Sequence, residues 1–398
     1  MTSILQTAKL AEVAELNPNL VEALGEDDPV SFLPMSAVTA ETASTSPGET
    51  RPYSEVRKGY TPFLDGDVLV AKITPCFENG KIVQARLTHR IGFGSTEFHV
   101  VRPRAGQADA RYLLHFLRQE RIRREGERKM TGSAGQRRVP EHFLADLDVL
   151  LPPLPEQRRI AEVLDRAEAL RAKRRAALAQ LDILTQSIFL DMFGDPATNP
   201  KGWPIKPLGE VAERITKGES PKWQGFDYQD DGALFVTSEN VRLGEIDLGA
   251  PKFIPFGFHK KLSRSELRQG DLLVNLVGAS IGRSCVFPGW NGPANVNQAV
   301  GVITMDPTLI ELAFIAGLLI SHSGQKLLLG NRVEAARANI SLTDLRDLRI
   351  PLPPLSLQRD FARRAAAVEK LKAAHRASLA EMDALFAALQ HRAFRGEL

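Results

Sequence analysis

Leu151-Pro152-Pro153-Leu154-Pro155-Glu156-Gln157-Arg158 and Leu352-Pro353-Pro354-Leu355-Ser356-Leu357-Gln358-Arg359 are two versions of one phrase, 201 positions apart in a chain of 398 residues. Each opens a long stretch with helical periodicity. Pro155 fits the first turn of a helix, where its missing N–H has no partner to lose. Working outward, Asp146-Leu147 matches Asp347-Leu348, and Val149 matches Ile350. Leu10-Ala11-Glu12-Val13-Ala14-Glu15 matches Leu208-Gly209-Glu210-Val211-Ala212-Glu213, and Gly66-Asp67-Val68-Leu69-Val70 matches Gly270-Asp271-Leu272-Leu273-Val274. The landmarks keep their order while the residues between them differ. This pattern implies two copies of one fold that present equivalent surfaces with different chemistry.

The stretches after the prolines carry apolar residues at heptad spacing. In the first, one row is Ile160, Ala167, Arg174, Leu181 and Ile188, and the other is Val163, Leu170, Ala177 and Leu184. In the second, the rows are Phe361, Val368, His375, Met382, Leu389 and Arg364, Leu371, Ser378, Leu385. A seven-residue apolar repeat reads as a coiled-coil seam. Its polar interruptions, Arg174 and His375, are also 201 positions apart, and a polar residue in a seam can fix register. The expected pairing is antiparallel and within the chain. It joins Ile160, Val163, Leu170, Arg174, Leu181 and Leu184 to Phe361, Val368, Leu371, His375, Met382 and Leu385. The competing reading packs each stripe on its own half.

Composition sets the remaining bounds. The chain is long enough for two or three domains with their own cores. Its longest strongly apolar run, Leu312 to Ile320, is too short to span a bilayer, and with no basic stretch followed by an apolar core at the N-terminus, no secretion signal is expected. The two cysteines, Cys76 and Cys285, fall one per half and are expected to be reduced thiols of a cytoplasmic protein. Net charge is only +3, but Arg118 to Arg138 alone carries +5. A charge run of this kind is either a solvated helix face or an anion-binding surface.

The blocks expected are residues 1–150, 151–196, 197–350 and 351–398. Strands are expected at Val68 to Ile73, Phe98 to Val101, Leu272 to Val277 and Ala299 to Met305. Helices are expected at Ala110 to Glu127 and Leu309 to Leu328, and residues 39–52 read as an exposed loop. The fold class is therefore α+β, two mixed α/β domains separated by two long helices.

No phosphate-binding glycine loop followed by Lys-Ser/Thr occurs. Nor is there an Asn-Pro-Pro-Tyr-like segment for amino-group methylation or a Cys/His cluster with metal spacing. Gly92-Phe93-Gly94 neither follows a long strand nor opens a helix. These absences favour a binding protein over an enzyme.

The proline phrase at 151–160, its helix, and the closing Met192-Phe193-Gly194-Asp195-Pro196 resemble the first conserved region of type I restriction–modification specificity subunits. Residues 350–398 are similar to the second. Ile73-Thr74-Pro75-Cys76-Phe77-Glu78-Asn79-Gly80-Lys81, with Ser95 to Val100, resembles a target-recognition domain of that family. In the second copy Ser356-Leu357 replaces Pro155-Glu156, which weakens the expected helix start. The resemblance implies two target-recognition domains related by a pseudo-two-fold axis, each reading half of a split duplex DNA site. The helices would set the gap between the halves and dock two methyltransferase subunits, with restriction–translocase subunits completing the complex. Methylation and cleavage, with S-adenosylmethionine, ATP and magnesium, would belong to those partners; no cofactor is expected in this chain. The alternative is a coiled-coil adaptor without DNA specificity.

Phosphate contacts need Lys, Arg and backbone N–H groups, and base reading needs Arg, Lys, Asn or Gln at groove edges. The candidates in the first half are Lys72, Lys81, Arg128, Lys129, Arg137 and Arg138, around the small-residue loop 131–136. Those in the second are Lys217, Lys222, Arg283, Asn297, Gln298, Arg332 and Arg337, with Trp223 beside Lys222.

Overall fold

Val68-Leu69-Val70-Ala71 is apolar at every position, and a strand of that kind needs cover on both faces. The computed structural model, which describes residues 6–398 apart from 21, 46–47, 134 and 331–338, supplies it. Val68 and Val70 point into a core shared with the helices, while Leu69 and Ala71 point into a core shared with a second sheet. Leu272-Leu273-Val274 divides in the same way, Leu272 and Val274 to one core and Leu273 to another.

The chain forms two compact units, residues 1–177 with 375–398, and residues 178–374. In the first, the central antiparallel sheet has the order Ala14–Leu16, Phe98–Pro103, Val68–Ala71, Ile82–Gln84. A second sheet runs Glu49–Pro52, Pro29–Leu33, Ile91–Gly94, Thr61–Leu64, with its middle pair parallel. In the second unit the central order is Ala212–Lys217, Val300–Met305, Leu272–Asn275, Ser284–Val286. Its smaller sheet runs Phe253–Ile254, Ala233–Val236, Ala294–Val296, again with one parallel pair. Each unit also pairs its opening strand with the strand just before a proline phrase: Gln6–Lys9 with Asp148–Leu151, and Ile205–Pro207 with Arg349–Pro351.

The repeated Gly-Asp pair has one job in both units. Asp67 is buried, accepts the Leu64 N–H at 2.8 Å, and receives Arg102 through Nε and Nη2 at 3.0 and 2.8 Å. Asp271 is buried, accepts the Arg268 N–H at 2.8 Å, and receives Arg214 Nη2 at 2.8 Å. A carboxylate taken out of water needs such compensation.

The long helices are Leu154–Phe193 and Leu355–Ala393. The second starts as the first does despite Ser356-Leu357, with the Pro354 carbonyl accepting from the Leu357 and Gln358 N–H groups. Gln157 and Gln358 are fully buried. Gln157 donates to the carbonyls of Gln107 and Pro152 at 3.0 and 2.9 Å and accepts the Asp109 N–H at 2.8 Å. Gln358 donates to the Pro353 carbonyl at 2.7 Å and accepts the Glu311 N–H at 2.8 Å. Asp109 and Glu311 each stand at the N-cap of the helix that covers the central sheet, Ala110–Leu117 and Leu312–Ile320. One glutamine thus fastens the proline phrase to the sheet-covering helix in each unit.

Within the first unit, Ile160 and Leu164 join the core, as does Phe394, which packs on Tyr112 and Phe116. Within the second, Phe189, Phe193, Phe314 and Phe361 form one aromatic cluster.

Several expectations change. The helix expected over Ala110 to Glu127 is two, Ala110–Leu117 and Glu120–Lys129, broken at Arg118-Gln119. The one expected over Leu309 to Leu328 bends by 82° at Ser321, whose hydroxyl caps the next turn by accepting from the Gly324 N–H. Residues 39–52, read as a loop, hold the strand Ser44–Thr45 and the edge strand Glu49–Pro52.

The seam also differs. Its first row is buried or half-buried: Ile160, Arg174, Leu181, Phe361, Val368, His375 and Met382, with Val163 half-buried beside it. The leucines of its second row face outward, with Leu170, Leu184, Leu371 and Leu385 each 43–58% exposed. The inward positions beside the first row are instead charged. Arg171 meets Asp383 at 2.6 Å and lies over the Phe386 ring, and Lys372 meets Asp182 at 2.7 Å. Apolar periodicity alone finds one inward row and misplaces the leucines of the other when the inward face also carries ion pairs.

Candidate nucleic-acid interface

In the first unit the central strand Val68–Ala71 runs out at Lys72. The Lys72 N–H donates to the Glu97 carbonyl at 2.8 Å, and its own carbonyl accepts from the Val139 N–H at 2.8 Å. Arg138 forms bridges with Ile73 and Thr131, and the Thr74 N–H reaches the Arg137 carbonyl at 2.9 Å. Lys72, Arg137 and Arg138 therefore meet at one sheet end. Arg128 and Lys129, exposed at the close of Glu120–Lys129, lead through Met130 and Thr131 into the same place. Lys81 is turned elsewhere. Its ammonium donates to the Met35 carbonyl at 3.0 Å and lines a cleft of about 680 Å³ with Arg118, Arg123 and Arg171.

Arg138 is held by Glu97 through Nε at 2.9 Å and Nη2 at 2.7 Å, and its Nη1 donates to the Gln136 carbonyl at 3.1 Å. That guanidinium keeps the Glu97 carboxyl below the ordinary range. Arg137 lies 3.8 Å from the Glu78 carboxylate.

The second unit repeats the backbone arrangement. The Leu276 N–H donates to the Ala299 carbonyl at 2.8 Å, its carbonyl accepts from the Ile340 N–H at 2.8 Å, and Asn339 bridges Val277. Register places Lys217 opposite Gly301, which lies opposite Val274, so Lys217 emerges at the same end of its sheet. Only glycine fits at 218, where a Cβ would sit 1.6 Å from the Val296 carbonyl oxygen. The chain beyond Lys217 thereby passes directly beside Val296 and Asn297. The Asn297 carboxamide accepts the Ala299 N–H at 3.0 Å and shapes that turn, and Gln298 is half-buried next to it. Arg283 is exposed, and its carbonyl accepts from the Asn275 N–H at 2.8 Å. Asn275, fully buried, donates to the Ser238 carbonyl and the Ser280 hydroxyl, tying the loop 277–283 to the strand end. Lys222 and Trp223 stand out on the turn Lys222–Gln224, with Trp223 80% exposed. Arg332 and Arg337 lie outside the described residues.

The sheet ends gather Lys72, Arg128, Lys129, Arg137 and Arg138 in one unit, and Lys217, Arg283, Asn297 and Gln298 in the other. Cations and amides on rigid strand ends match the demands of a polyanion with readable edges. Among the described residues no group of three His, Cys, Asp or Glu is placed to hold a metal. Burial pushes the Cys285 thiol up to about 12, so it is inert near neutral pH. The residues that sequence reasoning missed are the second layer: Glu97 behind Arg138, Asn275 behind its loop, and Gly218. The signal for Asn275 was a polar residue ending an otherwise apolar strand.

Residues 6–180 and 200–381 both match the type I restriction modification DNA specificity domain. The chain belongs to this family. Two specificity subunits from Escherichia coli, of the type I restriction enzymes EcoAI and EcoEI, are 40% and 41% identical to it over 152 residues. That stretch is 38% of this chain and about a quarter of each relative, 26% and 25%. The EcoBI specificity subunit from the same organism is 28% identical over 303 residues, covering 67% of this chain and 62% of that one. Among solved structures, a chain from work on complex assembly and conformational transition of the type I restriction–modification system aligns over 99% of this chain and 98% of its own. Its TM-score is 0.62 at 21% identity, a likeness of fold. The type I system S subunit from M. genitalium aligns over 99% and 97%, with TM-score 0.54 and 12% identity. Each of the two matched specificity domains contributes one of the sheet ends described above.

Proposed function

We propose that this chain reads a bipartite duplex DNA sequence for a type I restriction–modification complex, each specificity domain contacting one half-site through its sheet end. The observation that carries the reading is the recurrence of one backbone frame with different side chains on it. Lys72 and Arg138 occupy the frame in one unit, with Arg137 beside them, and Leu276 and Asn339 occupy it in the other, with Lys217, Asn297 and Gln298 at the same sheet end.

The two long helices act as an antiparallel coiled-coil strut that fixes the gap, under an internal pseudo-two-fold relation. The cross-helix pairs support this: Arg171 with Asp383, Arg174 with His375 at 3.0 Å, and Asp182 with Lys372. As one number rises the other falls. The outward leucines support a second role, docking of methyltransferase subunits. The first long helix is long and apolar enough by composition to cross a membrane, and little of its apolar stretch is buried. A protein partner covering that face fits a DNA-reading chain better than lipid does, and the expected location is the cytoplasm. Methyl transfer and ATP-dependent cleavage belong to the partner subunits, as do S-adenosylmethionine, ATP and magnesium.

Replacing Arg137 and Arg138 together with alanine will weaken duplex binding by about tenfold or more and flatten its dependence on salt, because released counterions set that slope. Filter binding at several salt concentrations measures both, and unchanged affinity at moderate salt removes these residues from the interface. Wild-type protein with no preference for duplex over protein ligands would instead favour the adaptor reading. Changing Leu184 and Leu371 to glutamate will weaken methyltransferase capture by about a hundredfold, at roughly 1.5 kcal/mol or more per buried leucine lost, while the thermal midpoint moves little. Co-purification at full strength would place the docking surface elsewhere.

A further inference from the structure

Positions 138 and 339 share one seat. Each precedes a residue whose N–H donates to the carbonyl just past the central strand, Val139 to Lys72 and Ile340 to Leu276, both at 2.8 Å. Each bridges the next residue along, Ile73 or Val277. The backbone is the same and the side chain differs, arginine in one unit and asparagine, exposed, in the other. These side chains have distinct hydrogen-bonding edges. A guanidinium presents two parallel N–H groups that match guanine O6 and N7, whereas a carboxamide presents one donor and one acceptor that match adenine N7 and N6.

Arg138 is also pre-set. Of its five N–H groups, one on Nε and one on Nη2 go to Glu97, and one on Nη1 goes to the Gln136 carbonyl. Among the described residues, one N–H on Nη1 and one on Nη2 remain without a partner, on a side chain 41% exposed. The carboxylate holds the guanidinium in place without taking those two N–H groups. In the second unit the residue in the backbone position of Glu97 is Ala299. Asparagine, with two torsions instead of four, needs no such brace, and its amide would be captured by one.

We propose that Arg138 and Asn339 are the paired base-reading residues of the two domains, Arg138 selecting a guanine in one half-site and Asn339 an adenine in the other, with Glu97 positioning Arg138. This rests on the sheet ends being the DNA surfaces.

The assembled complex with its methyltransferase subunits is offered a duplex library randomised across the whole site, and bound molecules are sequenced. Wild type should show a guanine-only position in one half and an adenine-only position in the other. Arg138→Gln should lower guanine selection at one position at least about tenfold and leave the other half-site unchanged. Asn339→Arg should do the converse, replacing adenine by guanine in the second half alone. Glu97→Ala should relax guanine selection about tenfold while affinity for non-specific duplex stays level or rises, a split that a merely structural pair would not give. Uniform weakening across the library in Arg138→Gln, or intact guanine selection, overturns the assignment. If Arg138→Gln does not assemble, Asn339→Ala decides, since an unchanged adenine preference there contradicts the twin-seat idea. A wild-type complex that enriches no motif overturns the DNA-reading role itself, an outcome distinct from a motif that ignores these substitutions.

Discussion

Removing one heptad from each long helix will shorten the permitted gap between half-sites by about three base pairs and leave both half-sequences unchanged. Seven residues at 1.5 Å each take about 10 Å from the strut, and duplex DNA rises 3.4 Å per base pair. A whole heptad keeps the inward face in phase to within about 20°, so the ion pairs that join the helices can re-form. The effect is all-or-none at the wild-type site, which should lose specific binding outright while the shortened site gains it. Selection from duplexes with fixed half-sites and variable gaps reads this directly. Altered half-sequences with an unaltered gap would mean that the helices do not set the spacing.

Gln157→Ala and Gln358→Ala should each destabilise their own unit by about 3 kcal/mol. Gln157, itself buried, makes three hydrogen bonds, two as donor and one as acceptor. Each such bond contributes about 1 kcal/mol to stability. The loss also frees the N-cap residue Asp109, whose carboxylate caps the first turn of Ala110–Leu117 by accepting from the Arg111 and Tyr112 N–H groups. Gln358 acts likewise on Glu311, with two bonds instead of three, so its substitution should cost somewhat less. Denaturant titrations should resolve a lowered midpoint for one of two transitions in each variant. A shift below about 0.5 kcal/mol would show that the proline phrase is held by apolar packing alone.

These glutamines also mark where sequence reading stops. The proline phrase, its repetition and the long helices it opens are visible in the amino acids because local rules govern them: proline in a first turn and a sustained heptad. The apolar strands at 68 and 272 are equally plain. The partner of Gln157 is not, because Asp109 lies some 50 residues away and no local rule links them. The outward turn of Leu170, Leu184, Leu371 and Leu385 escapes for a related reason. Hydrophobicity marks an apolar stripe, not whether it turns inward, and here Arg171 and Lys372 hold the inward positions through long-range ion pairs. At the candidate interface, basic residues could be picked by type, and most gather at the sheet ends. Lys81 does not, because its ammonium is spent on the Met35 carbonyl. The Glu97 brace was legible only once the strand end at Lys72 and the segment at Arg138 were seen to adjoin.

The most direct test of two reading surfaces on one chain is sequence selection by the assembled complex from a fully randomised duplex pool. Two short motifs separated by an unread gap of constant length are predicted, each motif altered only by substitutions in its own domain, at Arg138 or at Asn339. A single uninterrupted motif, or one that shifts as a whole when either domain is changed, would contradict the account.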